Sequence, residues 1–252
     1  MRRKSLRKET VNPYSALASI YDFVMAHVDY QMWANYIKAL FRLAHRPVLQ
    51  VADLSCGTGN LLTHLKSFNR QVLGFDISLP MLQIAKQKFP EIKYCCSDFT
   101  ALPIKTQTLD IALSLYDSVN YIISDQEVLN FFSEAFRVLK PGGLFIFDIV
   151  TPYLCESAFK KYHENAQIDE NTRYERFSFF KVKEQMQINQ FRIWHNGKYF
   201  FEEHQQKIRP VKDWVQLISQ SDFKIVEIFS NFSMKPVMET SERAHFVLRR
   251  PV

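Results

Sequence analysis

Hydrophobic positions recur with different periods along this chain, and each period predicts a different kind of element. From Tyr14 to Ala44 they fall at helical spacing, with Leu17, Ile20, Tyr21 and Val24 on one stripe and Trp33, Ile37, Leu40 and Phe41 on another. Pro47 punctuates that region. Short apolar runs then alternate with amphipathic stretches. PVLQVADL (47–54), QVLGFD (71–76), IKYCCSD (92–98), LDIALSLY (109–116) and LFIFDIV (144–150) read as strands. GNLLTHLKSF, SLPMLQIAKQKF and QEVLNFFSEAFRVLK read as helices, the last stopped by Pro141-Gly142-Gly143. Strands alternating with helices predict an α/β fold, a doubly wound, mostly parallel sheet with helices on both faces.

Beyond Pro152 the period becomes two. RYERFSFFKV, QMQINQFRIW and KYFFEEHQQKI are long, aromatic and roughly alternating, as antiparallel strands are, and Asn196-Gly197 signals a tight hairpin between the last two. A helix (PVKDWVQLISQSDF) and two strands (KIVEIFS, AHFVLRR) close the chain. The pattern predicts a single domain over 13–252, with cover helices in 13–45 and an antiparallel addition over 152–208 near the substrate side. Residues 1–12 are expected to be a basic mobile tail.

Charge alters the picture only at the start. The net charge of +6 invites a nucleic-acid or membrane partner, but Arg2, Arg3, Lys4, Arg7 and Lys8 stand against Glu9. Five positive charges and one negative thus put +4 in the first nine residues, and the body is near neutral. Cys56, Cys95, Cys96 and Cys155 lack metal-ligand spacing and read as reduced thiols, so no metal is expected. No apolar run approaches the roughly 18 residues of a membrane helix, and no apolar signal core follows the basic start. A cytoplasmic protein without a membrane partner is expected.

The candidate chemistry lies at strand ends, where doubly wound sheets bind ligands. In VADLSCGTGN (51–60), Gly57 and Gly59 let the backbone approach a ligand closely, and the N–H groups of Thr58, Gly59 and Asn60 open a helix. Asp76 ends the next strand, 17 residues past Gly59, where an acid can accept both hydroxyls of a ribose. Asp98 and Phe99 end the third, one able to accept from an adenine amino group and the other to pack near the ring. A nicotinamide dinucleotide would require G-x-G-x-x-G, and neither register of this loop supplies it.

These motifs together resemble the class I S-adenosylmethionine-dependent methyltransferases. VADLSCGTGN is similar to that family's D-x-G-x-G-x-G loop, with Asp53, Gly57 and Gly59 in place and Ser55 where glycine is usual. VLGFDIS resembles its ribose-binding strand end, CSDFTALPI its adenine segment, LDIALSLYDSVNYI its fourth-strand motif and LKPGGLFIFDIV its fifth-strand entry. YSALASIYDFVMAHVDYQMWANYI and FEEHQQKIRPVKDWVQLISQSDFKIVEIF resemble a small-molecule branch that includes aminosugar N,N-dimethyltransferases.

The resemblance implies a seven-stranded Rossmann-like fold and methyl transfer from S-adenosylmethionine to nitrogen or oxygen of a small molecule, leaving S-adenosylhomocysteine. It implies cofactor contacts at Asp53, Ser55, Cys56, Gly57, Gly59, Asp76, Ile77, Met81, Ser97, Asp98, Phe99, Leu115 and Tyr116. Tyr14, Tyr21 and Trp33 on the cover helices are candidates to place rings near the sulfonium. Asp117 is a candidate to attract an amine or accept a proton, with helix capping as the alternative. His204 is the histidine candidate for a base, with a structural role as the alternative. An RNA methyltransferase using the basic tail and a non-catalytic cofactor-binding relative are the competing readings. The aromatic stretch 172–201 is a candidate pocket wall, core or homodimer surface. If Ser55 has negative φ, its cost is slight; positive φ would cost about 1 kcal/mol.

Overall fold

Two sheets account for the strand pattern in the computed structural model, which describes residues 7–66 and 71–252. The chain opens with β1 (Lys8–Thr10), a 3₁₀ turn (Leu17–Ile20), α1 (Tyr21–Val24) and α2 (Tyr30–Phe41). It continues through β2 (Gln50–Asp53), α3 (Asn60–Lys66), β3 (Gln71–Asp76), α4 (Leu79–Lys88), β4 (Lys93–Cys96) and β5 (Leu109–Ser114). After a second 3₁₀ turn (Ser118–Tyr121) come α5 (Asp125–Val138), β6 (Leu139–Val150) and α6 (Pro152–Ser157). Next are β7 (Lys161–Asp169), β8 (Thr172–Lys181), β9 (Met186–His195) and β10 (Lys198–Lys207), then α7 (Val211–Ser219), β11 (Lys224–Ser230) and β12 (Arg243–Arg249).

The larger sheet has seven strands in the order β11-β12-β6-β5-β2-β3-β4, in which β12 alone runs against its neighbours. This is the class I methyltransferase arrangement. Side chains cap its helices as the sequence demands: Asp29 accepts from Met32 at the start of α2, and Ser124 and Glu127 form a capping box on α5. One face buries Phe131, Phe132, Phe145, Phe147, Trp214 and Phe246, and the other buries Trp33, Ile37, Leu40, Leu62 and Leu65. Each such side chain contributes about 1.5–3 kcal/mol by leaving water. The stop at Pro141-Gly142-Gly143 lies inside β6, with Gly142 at φ +80°.

The second sheet, β1-β10-β9-β8-β7, lies beside the carboxyl ends of the first. Sequence alternation identifies β8, β9 and β10; β7 joins them by antiparallel pairing with β8, although its residues alternate too weakly in polarity to stand out in the sequence. Asn196 and Gly197 sit at φ +49° and +73°, as a two-residue hairpin turn requires. The mobile-tail expectation needs correction at Lys8–Thr10, which pairs in parallel with Tyr199–Phe201 while Lys8 lies over the Phe201 ring. Arg2, Arg3 and Lys4 fall outside the described residues. No helix among the described residues is long and apolar enough to cross a membrane.

Candidate active site

The carboxyl ends of β2, β3, β4 and β5 open into one cavity of about 600 Å³, roofed by the N-terminal segment. The β2–α3 loop and Asp76 make its floor. Asp53, buried at the end of β2, accepts from the Ser55 backbone N–H at 3.1 Å. Burial pushes the Asp53 carboxyl up to about 7, Ser55 opposing it and the charges of Asp76 and Asp148 adding to it. Asp76 accepts from the Gly57 N–H and the Ser78 N–H, each at 2.8 Å, so one carboxylate clasps both loops. Its pKa is raised by burial, against those same amides. Gly57 is at φ +54°, and a Cβ there would stand 3.3 Å from the Met81 methyl.

Ser55 is not among the non-glycine residues with positive φ, and its Oγ lies 3.1 Å from Ser114 Oγ. Serine therefore fits here without backbone strain. Cys56, Ile77, Met81, Asp98 and Phe99 share the cavity wall, as do Leu115 and Tyr116 from the end of β5. Burial raises the Cys56 thiol well above its ordinary value, which leaves it inert. Asp98 accepts from the backbone N–H and the hydroxyl of Thr100, both at 2.8 Å, and Phe99 packs on Phe131.

Two loop residues lie away from the wall. Gly59, at φ +79°, brings α3 against α4: a Cβ would meet Tyr94 Oη at 2.7 Å. Ser97 donates its N–H to the Asp76 carbonyl, while its buried Oγ has no partner.

The roof carries Tyr14, Tyr21 and Trp33, all on the cavity wall. Tyr14 and Tyr21 meet edge to face at 6.0 Å, and Trp33 lies 5.2 Å from Tyr116. Asp22 of α1 fastens the roof to the floor by accepting from Thr58 Oγ1 at 2.6 Å and Asn60 Nδ2 at 3.0 Å, and it pairs with Lys88.

Asp117 is built into a buried charge cluster behind the wall. Arg243 bridges Asp117 and Asp148, and Gln206 donates to Asp117 at 2.7 Å. Asp148 also accepts from the N–H groups of Tyr116 and Asp117, which holds this pair at φ +62° and +53°. Asp117 stands at the N-cap of the 3₁₀ turn without making a side-chain cap. The capping alternative is not realised, and Asp117 does not line the cavity but spends its charge on Arg243.

His204 lies one residue behind the wall, fully buried, in a hydrogen-bonded row. Tyr14 and Tyr121, both on the cavity, are joined hydroxyl to hydroxyl at 2.7 Å. Tyr121 Oη is 2.9 Å from His204 Nδ1, and His204 Nε2 is 3.1 Å from Glu202 Oε2. Glu202 is wholly buried and also accepts from the N–H groups of Tyr14 (2.9 Å), Ala16 (2.5 Å) and Leu17 (2.8 Å). Surrounded by donors, this carboxylate requires the hydrogen on Nε2. Nδ1 is then the acceptor for Tyr121, and Tyr121 the acceptor for Tyr14. The proton direction is assigned from this network.

Sequence reasoning missed Tyr121 and Glu202. A signal for Glu202 was present: Glu202 and His204 are two apart in a strand, which puts them on one face. Tyr121 carried none, since its role depends on a strand 83 residues away.

Known proteins fit this geometry. A family model described as a methyltransferase domain matches residues 51–143. YqeM of Bacillus subtilis (strain 168) is 29% identical over 240 residues, covering 92% of this chain and 95% of its own. A solved S-adenosylmethionine-dependent methyltransferase from Clostridium acetobutylicum ATCC 824 matches at 27% identity and TM-score 0.79, over 95% of this chain and 99% of that one. The sugar N-methyltransferase KedS8 from Streptoalloteichus sp ATCC 53650 covers 92% of this chain and 93% of its own at TM-score 0.74, with 17% identity, a likeness of fold.

Proposed function

We propose that this chain, a class I S-adenosylmethionine-dependent methyltransferase, methylates nitrogen or oxygen of a small acceptor and passes the acceptor's proton to Tyr121. The row Tyr14–Tyr121–His204–Glu202 carries this reading, because it ends on the cavity wall. The floor fits the cofactor. Asp76 retains acceptor capacity beyond its two amide bonds, and Gly57 leaves open the space a Cβ would fill. Asp53, Ser55, Cys56, Ile77, Met81, Asp98, Phe99 and Leu115 would complete the contacts. Gly59 and Ser97 shape the floor from behind.

Bound S-adenosylmethionine supplies an electrophilic methyl group on a cationic sulfur, and the chain chiefly aligns the acceptor. Tyr14, Tyr21, Trp33 and Tyr116 present rings to a cation in the cavity. Burial holds the Tyr14 and Tyr121 phenols above their ordinary value, so both are neutral at pH 7. Tyr121 accepts the acceptor's proton as its own moves to His204 Nδ1, and Glu202 stabilises the resulting imidazolium. An acceptor hydroxyl profits most; a neutral amine needs the relay only to clear its proton after transfer. Asp117 holds the end of β5 through Arg243.

The test is transfer of labelled methyl to a panel of small amines, phenols and alcohols, with bulk RNA as a competing acceptor. Small-molecule labelling is expected, and Tyr121→Phe and His204→Gln should each lower kcat for a hydroxyl acceptor about 100-fold, and for an amine less, with S-adenosylhomocysteine binding retained. Labelling of RNA alone would replace this reading.

A further inference from the structure

The sheet that roofs the acceptor side has two unlike faces. Along β8, Tyr174, Ser178 and Phe180 are buried with Arg176 half-buried among them, while Arg173, Glu175, Phe177 and Phe179 face the other way. Strand register sets Arg176 opposite Phe191, which is opposite Glu202, and Ser178 opposite Asn189, which is opposite His204. Arg176 therefore shares the face that carries the Glu202–His204 pair.

Among the described residues its guanidinium has no counter-ion. Nε donates to Ser178 Oγ at 3.1 Å and Nη2 to Asn189 Oδ1 at 3.0 Å, both neutral acceptors. The rings of Phe159, Tyr162 and Phe191 stand 5.5–5.6 Å from it. Glu164, directly opposite on β7, is engaged elsewhere, accepting from the hydroxyls of Tyr162 and Tyr174. Among the described residues no carboxylate lies within 4.0 Å of Arg176. Arg137, Arg209 and Arg243, by contrast, each pair with an acid. A half-buried guanidinium walled by rings gains most from an anion that completes it, and its fork of remaining N–H groups matches a carboxylate or phosphate.

We propose that Arg176 binds an anionic group, a carboxylate or a phosphate, on the methyl acceptor. This rests on the methyl-transfer reading of the cavity. Arg176 lies two strands across from Glu202, and therefore about 12 Å from His204, two residues further along, between backbones at ordinary strand dimensions. An acceptor with its nucleophile at Tyr121 then reaches Arg176 with its anion over a length of that order. Ser178 and Asn189 hold the guanidinium from behind, so the anion meets a preset fork.

The test compares three amines of similar length by calorimetry on the protein loaded with S-adenosylhomocysteine: tyramine O-phosphate, 4-(2-aminoethyl)benzoate and tyramine. One or both anionic probes should bind about tenfold or more tighter than tyramine, and whichever binds better identifies phosphate or carboxylate as the natural group. Arg176→Gln should erase that preference while binding S-adenosylhomocysteine as wild type does. Arg176→Lys should retain part of it. Failure of both anionic probes at millimolar concentration, equal binding of tyramine, or a preference that survives Arg176→Gln would overturn the assignment. Failure of wild type to bind S-adenosylhomocysteine would instead overturn the methyltransferase reading beneath it.

Discussion

The floor and the roof of the cavity are assembled over different distances along the chain. On the floor, Asp53 and Ser55 are two residues apart and Gly57 and Asp76 nineteen, so neighbouring strand ends bring the groups together. Under the roof, Tyr14 meets Tyr121 across 107 residues and Glu202 across 188. The floor offers a ligand mainly backbone N–H groups and strand-end acids, which any sequence with the right turns can supply. The roof uses side chains that acquire meaning only when a second sheet lies over the first. Cofactor chemistry can therefore be common to many proteins while acceptor chemistry changes with the sheet laid on top.

The largest expected effect falls on the floor. Asp76→Ala removes the clasp on Gly57 and Ser78 together with the strand-end acid proposed to meet the ribose, and S-adenosylhomocysteine affinity should fall about 100-fold or more. Calorimetry showing a change of only a few fold would detach Asp76 from cofactor binding. The corresponding break in the roof is Glu202→Ala. It orphans three backbone N–H groups at 14–17 and leaves His204 without its partner, a loss of about 3 kcal/mol or more in urea unfolding. Stability within 1 kcal/mol of wild type would show that the roof does not depend on this carboxylate.

That contrast also explains what was legible beforehand. Strand–helix alternation carried the seven-stranded sheet, and the positions of Asp53, Gly57, Asp76 and Asp98 relative to strand ends carried the floor, because local pattern determines both. The strand at Lys8–Thr10 was invisible, since a short basic segment becomes a strand only by pairing with Tyr199–Phe201. Asp117 shows what local pattern leaves out. An acid beyond a strand end invites a catalytic reading, and only Arg243, 126 residues later, shows that its charge is already engaged.

A smaller effect should appear with pH on the floor. The Asp53 carboxyl titrates at about 7 in the folded protein and near 3.8 when free, so the folded state binds the extra proton between those values. Stability from this group is therefore greatest below about pH 4 and is lost as pH rises toward 7, so Asp53→Asn should flatten, without abolishing, the melting-temperature slope that buried Asp76, Asp117 and Asp148 share. Binding runs the other way. Ionised Asp53 favours a cationic ligand, so S-adenosylmethionine should bind about tenfold tighter at pH 8 than at pH 6 in wild type. An equally steep profile in Asp53→Asn would assign the titration to another group.

The smallest effect tests the one departure in the loop. Ser55→Gly restores the glycine that similar loops carry, yet Ser55 has no positive φ to relieve, and its hydroxyl is bonded to Ser114. Glycine would lose that bond and widen the unfolded ensemble, so stability should fall by about 1 kcal/mol while S-adenosylmethionine affinity stays within about twofold. Gly57→Ser makes the reverse exchange at φ +54° beside Met81 and should weaken binding markedly. The two substitutions change the same pair of residue types, two positions apart, at opposite backbone conformations and with different side-chain neighbours. If Ser55→Gly tightened binding more than tenfold, the serine side chain itself would be obstructing the ligand, and the floor would be less complete than its hydrogen bonds indicate.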